Sequence, residues 1–501
     1  MHHVVNYTVE TSESSESFTS HAGLPLLVET LESVVDEELF QRLATSLGIS
    51  HASTAARHLV SLLCLLASGG EHISDIEQLR ADGGLAKLLV RAISSATQLK
   101  DFLYHFHQTP DGQPVTEQQD NQWSRQGKAQ VRQPGPGLKA LEDINDAVWH
   151  AAMGDEVADS LTLEVDATIA ESDSKRALKT YKGSHGYQPV MAYVPEKKVW
   201  VYDEFRDGNV PSSFEMERVV REAVDKVRPY TEKLRFRADS ACYNDKVMSY
   251  LDGEAIEFVI SAVMSQPLRA AILDLPESAW RQVHGGETSG RKSHSTKQKD
   301  NEAESRPVLE WAEVDFVPDA PRNRKKHGKP FRYIVVRRPR NAPPHPSALV
   351  QLPLFFERDD SFEADSFRYF VRVTNTNWSG ARVIAWLNLK QGNIEPGHDS
   401  VKNGWAGAHL PFSRFGANAA WWRINILLDN LVTLLKLRAL PTGLTAAKPK
   451  TLRFLIFNVA ARVVAHARRL VLRLDSRLFL AGVLADARAA LRTLAQAPAP
   501  T

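Results

Sequence analysis

Three acidic residues are spaced so that a folded chain could aim them at one point. Leu161-Thr-Leu-Glu-Val-Asp166 alternates apolar and polar residues with the period of a β-strand. Leu161, Leu163 and Val165 share one face, Thr162, Glu164 and Asp166 the other, and Asp166 ends the run. Leu234-Arg-Phe-Arg-Ala-Asp239 again places an acid at the end of a short apolar strand. Two strand-end carboxylates in one sheet can converge. Glu395 opens a helical stretch, Ile394–Asn403, and Lys402 lies almost two turns further on, so on a continuous helix the two share a face. Hard divalent cations such as Mg²⁺ take oxygen ligands, and carboxylates that hold a metal pair beside an ammonium that holds a phosphate suit phosphoryl transfer. An isolated strand-end Asp is more often a turn residue or helix cap, so spacing alone does not decide between these roles.

The elements that must position these residues follow from periodicity. Apolar residues recur at three-to-four spacing in Leu26–Leu43, Ala55–Leu66 and Ile73–Ile93, which predicts a helical domain over 1–110. The stretch Gln108–Gly137, rich in Gln, Asp, Gly and Pro, reads as an exposed linker, and 111–157 as linker plus connecting helix. From 158 to 264 the pattern alternates: strands at Leu161–Asp166, Tyr187–Val194 and Lys198–Phe205, a helix at Ser213–Tyr230, a strand at Leu234–Ala238, a helix at Asn244–Leu251 and a strand at Ile256–Ser261. The fold class is therefore α/β. Residues 265–370 break this rhythm with strand-like pieces at Val308–Phe316, Phe331–Arg337 and Ser366–Val373, a β-rich insertion. Residues 371–440 resume the layer, with the apolar helix Ala417–Leu437 closing it, and 441–501 reads as a basic helical region over Leu452–Leu494.

The blocks Leu-Glu-Val-Asp166-Ala-Thr, Phe205-Arg-Asp-Gly-Asn209-Val-Pro-Ser-Ser, Arg237-Ala-Asp239-Ser-Ala-Cys-Tyr243 and Gly392-Asn-Ile-Glu395, in this order, resemble those of the Asp-Asp-Glu transposases of bacterial insertion sequences, in particular the thirteen-eighty group. The N-terminal Ile76-Glu-Gln-Leu-Arg-Ala-Asp82 also fits. The resemblance implies a ribonuclease H-like core interrupted by a β-rich insertion between the second Asp and the Glu. It further implies that Asp166, Asp239 and Glu395 are catalytic and hold two Mg²⁺ or Mn²⁺ ions. Lys402 would then bind a DNA phosphate, with Arg237 and Lys390 assisting. The implied partners are double-stranded terminal inverted repeats and target DNA, with the N-terminal helices binding the ends and at least a homodimer in the synaptic complex. The wider Tyr-Arg-Glu-Lys signature of that family is partly degenerate here: Asn388 and Gln391 stand at the Tyr and Arg positions, Lys390 is adjacent, and Pro396 follows the glutamate, so that Glu395 begins its helix. The same residues also fit a metal-dependent nuclease without strand transfer, or a DNA-binding descendant without catalysis.

Composition sets the outer bounds. The 501 residues carry a net charge of only +1, with 43% hydrophobic and 24% charged residues, which fits a globular protein of several domains and excludes a uniformly basic coat. The charge is nevertheless segregated. Residues 1–50 hold eight acids against Arg42 alone; Lys448 to the end holds ten bases against Asp475 and Asp486; a further basic run spans Arg322–Arg340. Basic clusters of this kind can neutralise phosphates, although solvated surface is the commoner reason for them. Two cysteines, Cys64 and Cys242, and no long apolar run predict a cytoplasmic protein without a membrane partner. Gly285–Ser293 nearly matches a phosphate-binding loop, but Arg291 intrudes and no strand precedes it; Gly135–Ala140 echoes a dinucleotide fingerprint without its strand. The histidines form no zinc-protease pattern. Trp280 and Trp311 fall in the insertion, where a base could stack, but core packing is the commoner role.

Overall fold

The computed structural model describes residues 17–89, 92–125, 129–283, 309–318, 331–340, 361–364, 366–466, 469–475 and 480–496. They form two compact units: one gathers Met1–Gln119, Gln133–Ala152 and Ser400–Thr501, the other Asp120–Arg132 and Met153–Asp399. The near-match to a phosphate-binding loop and the Arg322–Lys329 part of the basic run lie outside the described residues.

The second unit is organised on a mixed sheet. Its strand Ala158–Ala167 pairs antiparallel with Val190–Val194, which turns back into Val199–Glu204. On its other side it runs parallel to Thr231–Ala238, which is in turn parallel to Glu257–Ser261. Parallel neighbours need crossovers, and the helices Met216–Val227 and Asp245–Gly253 supply them. Asn244 caps the second, accepting a hydrogen bond from the Lys246 amide. Beyond Glu257–Ser261 the sheet continues antiparallel through Phe367–Thr374, Arg332–Pro339, Glu310–Val314 and Arg281–Gln282. The expected insertion strands thus extend the same sheet.

Alternation in Leu161–Asp166 suggests a strand with one wet face, but Thr162 and Glu164 are as buried as Leu161, Leu163 and Val165. A strand with neighbours on both sides and layers over both faces buries the polar residues of its middle as well as the apolar ones. In the extension, Trp311 is a core residue, packed with Val259, Ile334, Trp378 and Ile384. Gly380, at the start of helix Gly380–Asn388, lies flat on its ring: a Cβ there would meet the indole at 2.1 Å.

The 120–132 segment belongs to this unit and is no bare linker. It contains most of helix Glu117–Arg125, and its Asp120 is buried. Arg132 donates to Asp120 (3.0 Å) and to Asp207 (2.8 Å), and Arg176 also reaches Asp120 (2.8 Å). The Asp207 of the Phe205–Ser213 block is therefore a structural acceptor.

In the first unit, helices Leu24–Glu32, Ala52–Ser68 and Ala96–Tyr104 pack on Phe415–Arg438. That long helix groups with the first unit, whereas its position in the chain suggests a place in the α/β layer. It is buried on every face along most of its length, and the N-terminal helices give part of that cover. Two of its buried polar residues find partners on helix Pro136–Met153: Asn430 donates to Asn145 (2.9 Å) and Arg423 to the Leu138 carbonyl (2.6 Å). The C-terminal region also departs from a continuous helix. Ala461–His466 and Arg469–Arg473 form an antiparallel hairpin with Ser17–Thr19 on its edge, followed by helix Ala481–Gln496. The apolar runs Val463-Val464, after Arg462, and Leu470-Val471-Leu472, between Arg469 and Arg473, each supply a short β-branched or leucine-rich stretch. Among the described residues no single helix is long and apolar enough to cross a membrane.

Two expectations follow. Gly380→Ala forces Trp311 from its pocket and should cost about 1–3 kcal/mol in denaturant unfolding. In the first unit, His58 is buried with Nδ1 2.8 Å from Ser94 Oγ. Burial, reinforced by Arg57 and His105, lowers it from 6.5 to about 4. The unfolded chain then takes up the proton first, so stability falls as pH drops from 6.5 toward 4. His58→Asn should flatten that part of the stability-versus-pH curve.

Candidate active site

Parallel register aligns Val165 with Ala238, so Asp166 and Asp239 are the next residues on adjacent strands and leave the sheet at one level. Adjacent strands lie about 4.8 Å apart, which brings the two carboxylates to the same end of the sheet. Each also has a local backbone partner. Asp166 Oδ1 accepts from the Ala167 amide (3.0 Å), and Asp239 Oδ1 accepts from the Ala241 amide (3.0 Å), capping the turn Ser240–Cys242. The ordinary role of a strand-end Asp is thus fulfilled at Asp239, with its other oxygen not involved in that bond.

The facing groups come from the far side of the extension. Helix Gly380–Asn388 ends in a tight turn, Leu389–Gly392, and the chain restarts as helix Ile394–Asp399 with Glu395 in its first turn. Pro396 sits where a helix tolerates it. The turn delivers Lys390, whose Nζ lies 3.1 Å from Asp166 Oδ2, both groups largely buried. The short helix delivers His398, with Nε2 3.5 Å from the same oxygen. Its ring lies against Trp200, with centroids 5.1 Å apart, and Gly397 permits the approach: a Cβ there would meet the Trp200 ring at 2.7 Å. His398 is buried and neither of its ring nitrogens completes a hydrogen bond.

The electrostatics identify one cluster. Burial would raise the Asp166 carboxyl, but Lys390 and His398 outweigh it and hold it well below the carboxylate range. Burial would equally depress the Lys390 ammonium, yet Asp166, Asp239 and Glu164 keep it well above its ordinary value. Glu395 is pushed up to about 7 by burial, which the pull of Lys390 only partly offsets and the field of Asp166 reinforces. Asp166, Asp239 and Glu395 therefore all act on Lys390, which serves as the cation of the cluster. Hard carboxylate oxygens are the right donors for Mg²⁺ or Mn²⁺. Among the described residues, however, no three His, Cys, Asp or Glu side chains are grouped so as to hold a metal ion.

The family model for group 1 of the transposase DDE domain matches residues 1–351 and 358–496. This chain belongs to that transposase family. No curated protein matches it. Among solved structures, the piggyBac transposase in a cryo-EM synaptic complex with hairpin DNA is similar, with a TM-score of 0.44 and 10% identity over 97% of this chain and 86% of that one.

Beneath the cluster, this DDE transposase carries a second ion pair that sequence spacing does not reveal. Glu164 and Arg237 are register partners on the two central strands. Arg237 Nε donates to Glu164 Oε1 (2.6 Å), its Nη1 donates to the Trp386 carbonyl (2.8 Å), and the guanidinium lies over the Trp386 ring. Only 2% of Arg237 is exposed, so this arginine braces the sheet under the site and is not presented to a DNA phosphate. Burial pushes Glu164 up to about 7 despite Arg237.

The other DNA-contact expectations divide. Lys390 points into the carboxylates. Lys402 lies in the wider π-helical turn Ser400–Gly404, which departs from the continuous α-helix that would put it on the face of Glu395. In the basic run, Arg332 pairs with Glu313 (2.8 Å) and Arg337 with Glu310 (2.7 Å). Trp280 lies against Arg337, its ring 4.1 Å from the guanidinium.

Removing one partner of a buried pair leaves the other charge uncompensated, which costs about 3–5 kcal/mol, whereas an apolar pair of similar volume is often neutral. Glu164→Leu and Arg237→Met should each destabilise the fold by about that amount. The double variant should be clearly more stable than the two losses added together. Urea denaturation of the four proteins measures this coupling.

Proposed function

We propose that this protein is a DNA transposase that cleaves phosphodiesters at the terminal inverted repeats of an insertion sequence and joins the freed ends to target DNA. Membership of the DDE family supports this reading, and one observation carries it. Asp166 and Asp239 stand at the same level on adjacent parallel strands, with Glu395 coupled electrostatically to Asp166. The strand order, in which a hairpin of two antiparallel strands flanks Ala158–Ala167 and two parallel strands follow on its other side, supports a ribonuclease H-like core.

In this reading Asp166, Asp239 and Glu395 would hold two Mg²⁺ or Mn²⁺ ions. Such ions, when bound, would supply activation of a water or 3′-hydroxyl and charge stabilisation at the leaving oxygen. The chain does the positioning. Asp166 and Asp239 are held at fixed strand ends by the sheet and by their backbone hydrogen bonds. Glu395, raised to about 7 by burial, is on a separate short helix. Lys402 would contact a DNA phosphate, and the arginines of the C-terminal hairpin would add salt-dependent backbone contacts. Work on paired DNA ends calls for at least two protomers, in the cytoplasm.

Purified protein incubated with Mg²⁺, labelled inverted-repeat duplex and target plasmid should yield both cleaved ends and joined product. Asp166→Asn and Asp239→Asn should each lower both by about 100-fold or more, because each removes a ligand whose ion stabilises charge by several kcal/mol. Cleavage without joined product would identify a nuclease. Duplex binding with neither product would identify a DNA-binding descendant, the alternative raised by Asn388 and Gln391 at the Tyr and Arg positions of the signature.

A further inference from the structure

The carboxylate cluster has a cation of its own. Lys390 Nζ lies 3.1 Å from Asp166 Oδ2, the oxygen that does not accept from the Ala167 amide. The lysine comes from the turn Leu389–Gly392 between two helices, so its backbone is not locked into either. His398, more than nine-tenths buried and with both ring nitrogens lacking a hydrogen-bond partner, is aimed at that oxygen from the next helix. An oxygen faced by an ammonium and an unpartnered imidazole is set up for a stronger ligand than either.

From this geometry we infer that Lys390 is a tethered counter-ion that competes with the divalent metal for Asp166 and must swing away from it when the metal binds. The inference rests on the reading of Asp166 as a metal ligand. The physical ground is simple: an ammonium and a divalent cation repel each other strongly at contact distance in a partly buried site, so they cannot both sit on one carboxylate oxygen without cost. Lys390 keeps Asp166 compensated until the metal arrives, and the displaced ammonium then becomes a donor for an incoming phosphate. Lys390 is on this account a positioning residue whose place depends on metal.

Two measurements on the full-length protein test this. Isothermal titration with Mn²⁺ should show that Lys390→Met binds the ion about tenfold or more tighter than wild type, with Asp166→Asn as the control that removes the site. In wild type, acetylation of lysines followed by mass spectrometry should leave Lys390 protected in EDTA and modified once Mn²⁺ is added. This second readout needs no variant to fold. Equal or weaker Mn²⁺ affinity in Lys390→Met, or Lys390 labelling that Mn²⁺ does not change, overturns the inference while leaving the metal site intact. If neither wild type nor Lys390→Met binds Mn²⁺, the metal-site reading falls and this inference falls with it.

Discussion

Burying carboxylates in the middle of a sheet is the constraint on which the second unit depends. Strand Ala158–Ala167 places Thr162, Glu164 and Asp166 on one face, with Thr162 and Glu164 buried and Asp166 largely so. A buried carboxylate without a cation is far more costly than most folds can carry. Glu164 is answered by Arg237 from the neighbouring strand and Asp166 by Lys390 from the turn after Gly380–Asn388. These pairs also fix register. A slip of one residue in the strand would turn both acids to the opposite face and separate each from its cation. The arrangement that aims the acids is therefore the one that keeps the sheet in register, and site and fold share the same interactions.

Much of this framework is legible in the sequence. The strands at 158–167, 190–194, 199–204, 231–238 and 257–261 follow from alternation and β-branched runs, and the convergence of Asp166 with Asp239 follows from placing both at strand ends. Burial of Glu164 does not follow, because its partner Arg237 is remote in sequence and the same alternation describes a wet face. The role of Lys390 is half legible: its closeness to the Arg position of the family signature singles it out, but only the turn Leu389–Gly392 directs it at a carboxylate instead of a phosphate. His398 follows Glu395 by about one helical turn, the spacing that puts two side chains on one face, and that was its only signal.

The first unit shows where periodicity runs out. Apolar spacing finds helix Phe415–Arg438 but says nothing of its partners, and an all-round apolar helix can serve either layer. The C-terminal hairpin is built largely from Arg, Val, Leu and Ala, residues that suit both helix and strand, so its pairing is not legible in the sequence. In the 120–132 segment, Gln- and Gly-rich composition signals a connector, while three ion pairs centred on Asp120 and Arg132 make it part of a folded unit.

The interleaving of the two units has a consequence for synthesis. Every residue of the sheet-bearing unit has been made once Asp399 is reached, whereas the N-terminal helices belong to a unit that also draws on Ser400–Thr501. The helix that covers them, Phe415–Arg438, leaves the ribosome after the whole sheet. These helices emerge before the sheet yet are enclosed after it, and until then the apolar faces of Leu24–Glu32 and Ala52–Ser68 stand open to chaperones or to another nascent chain.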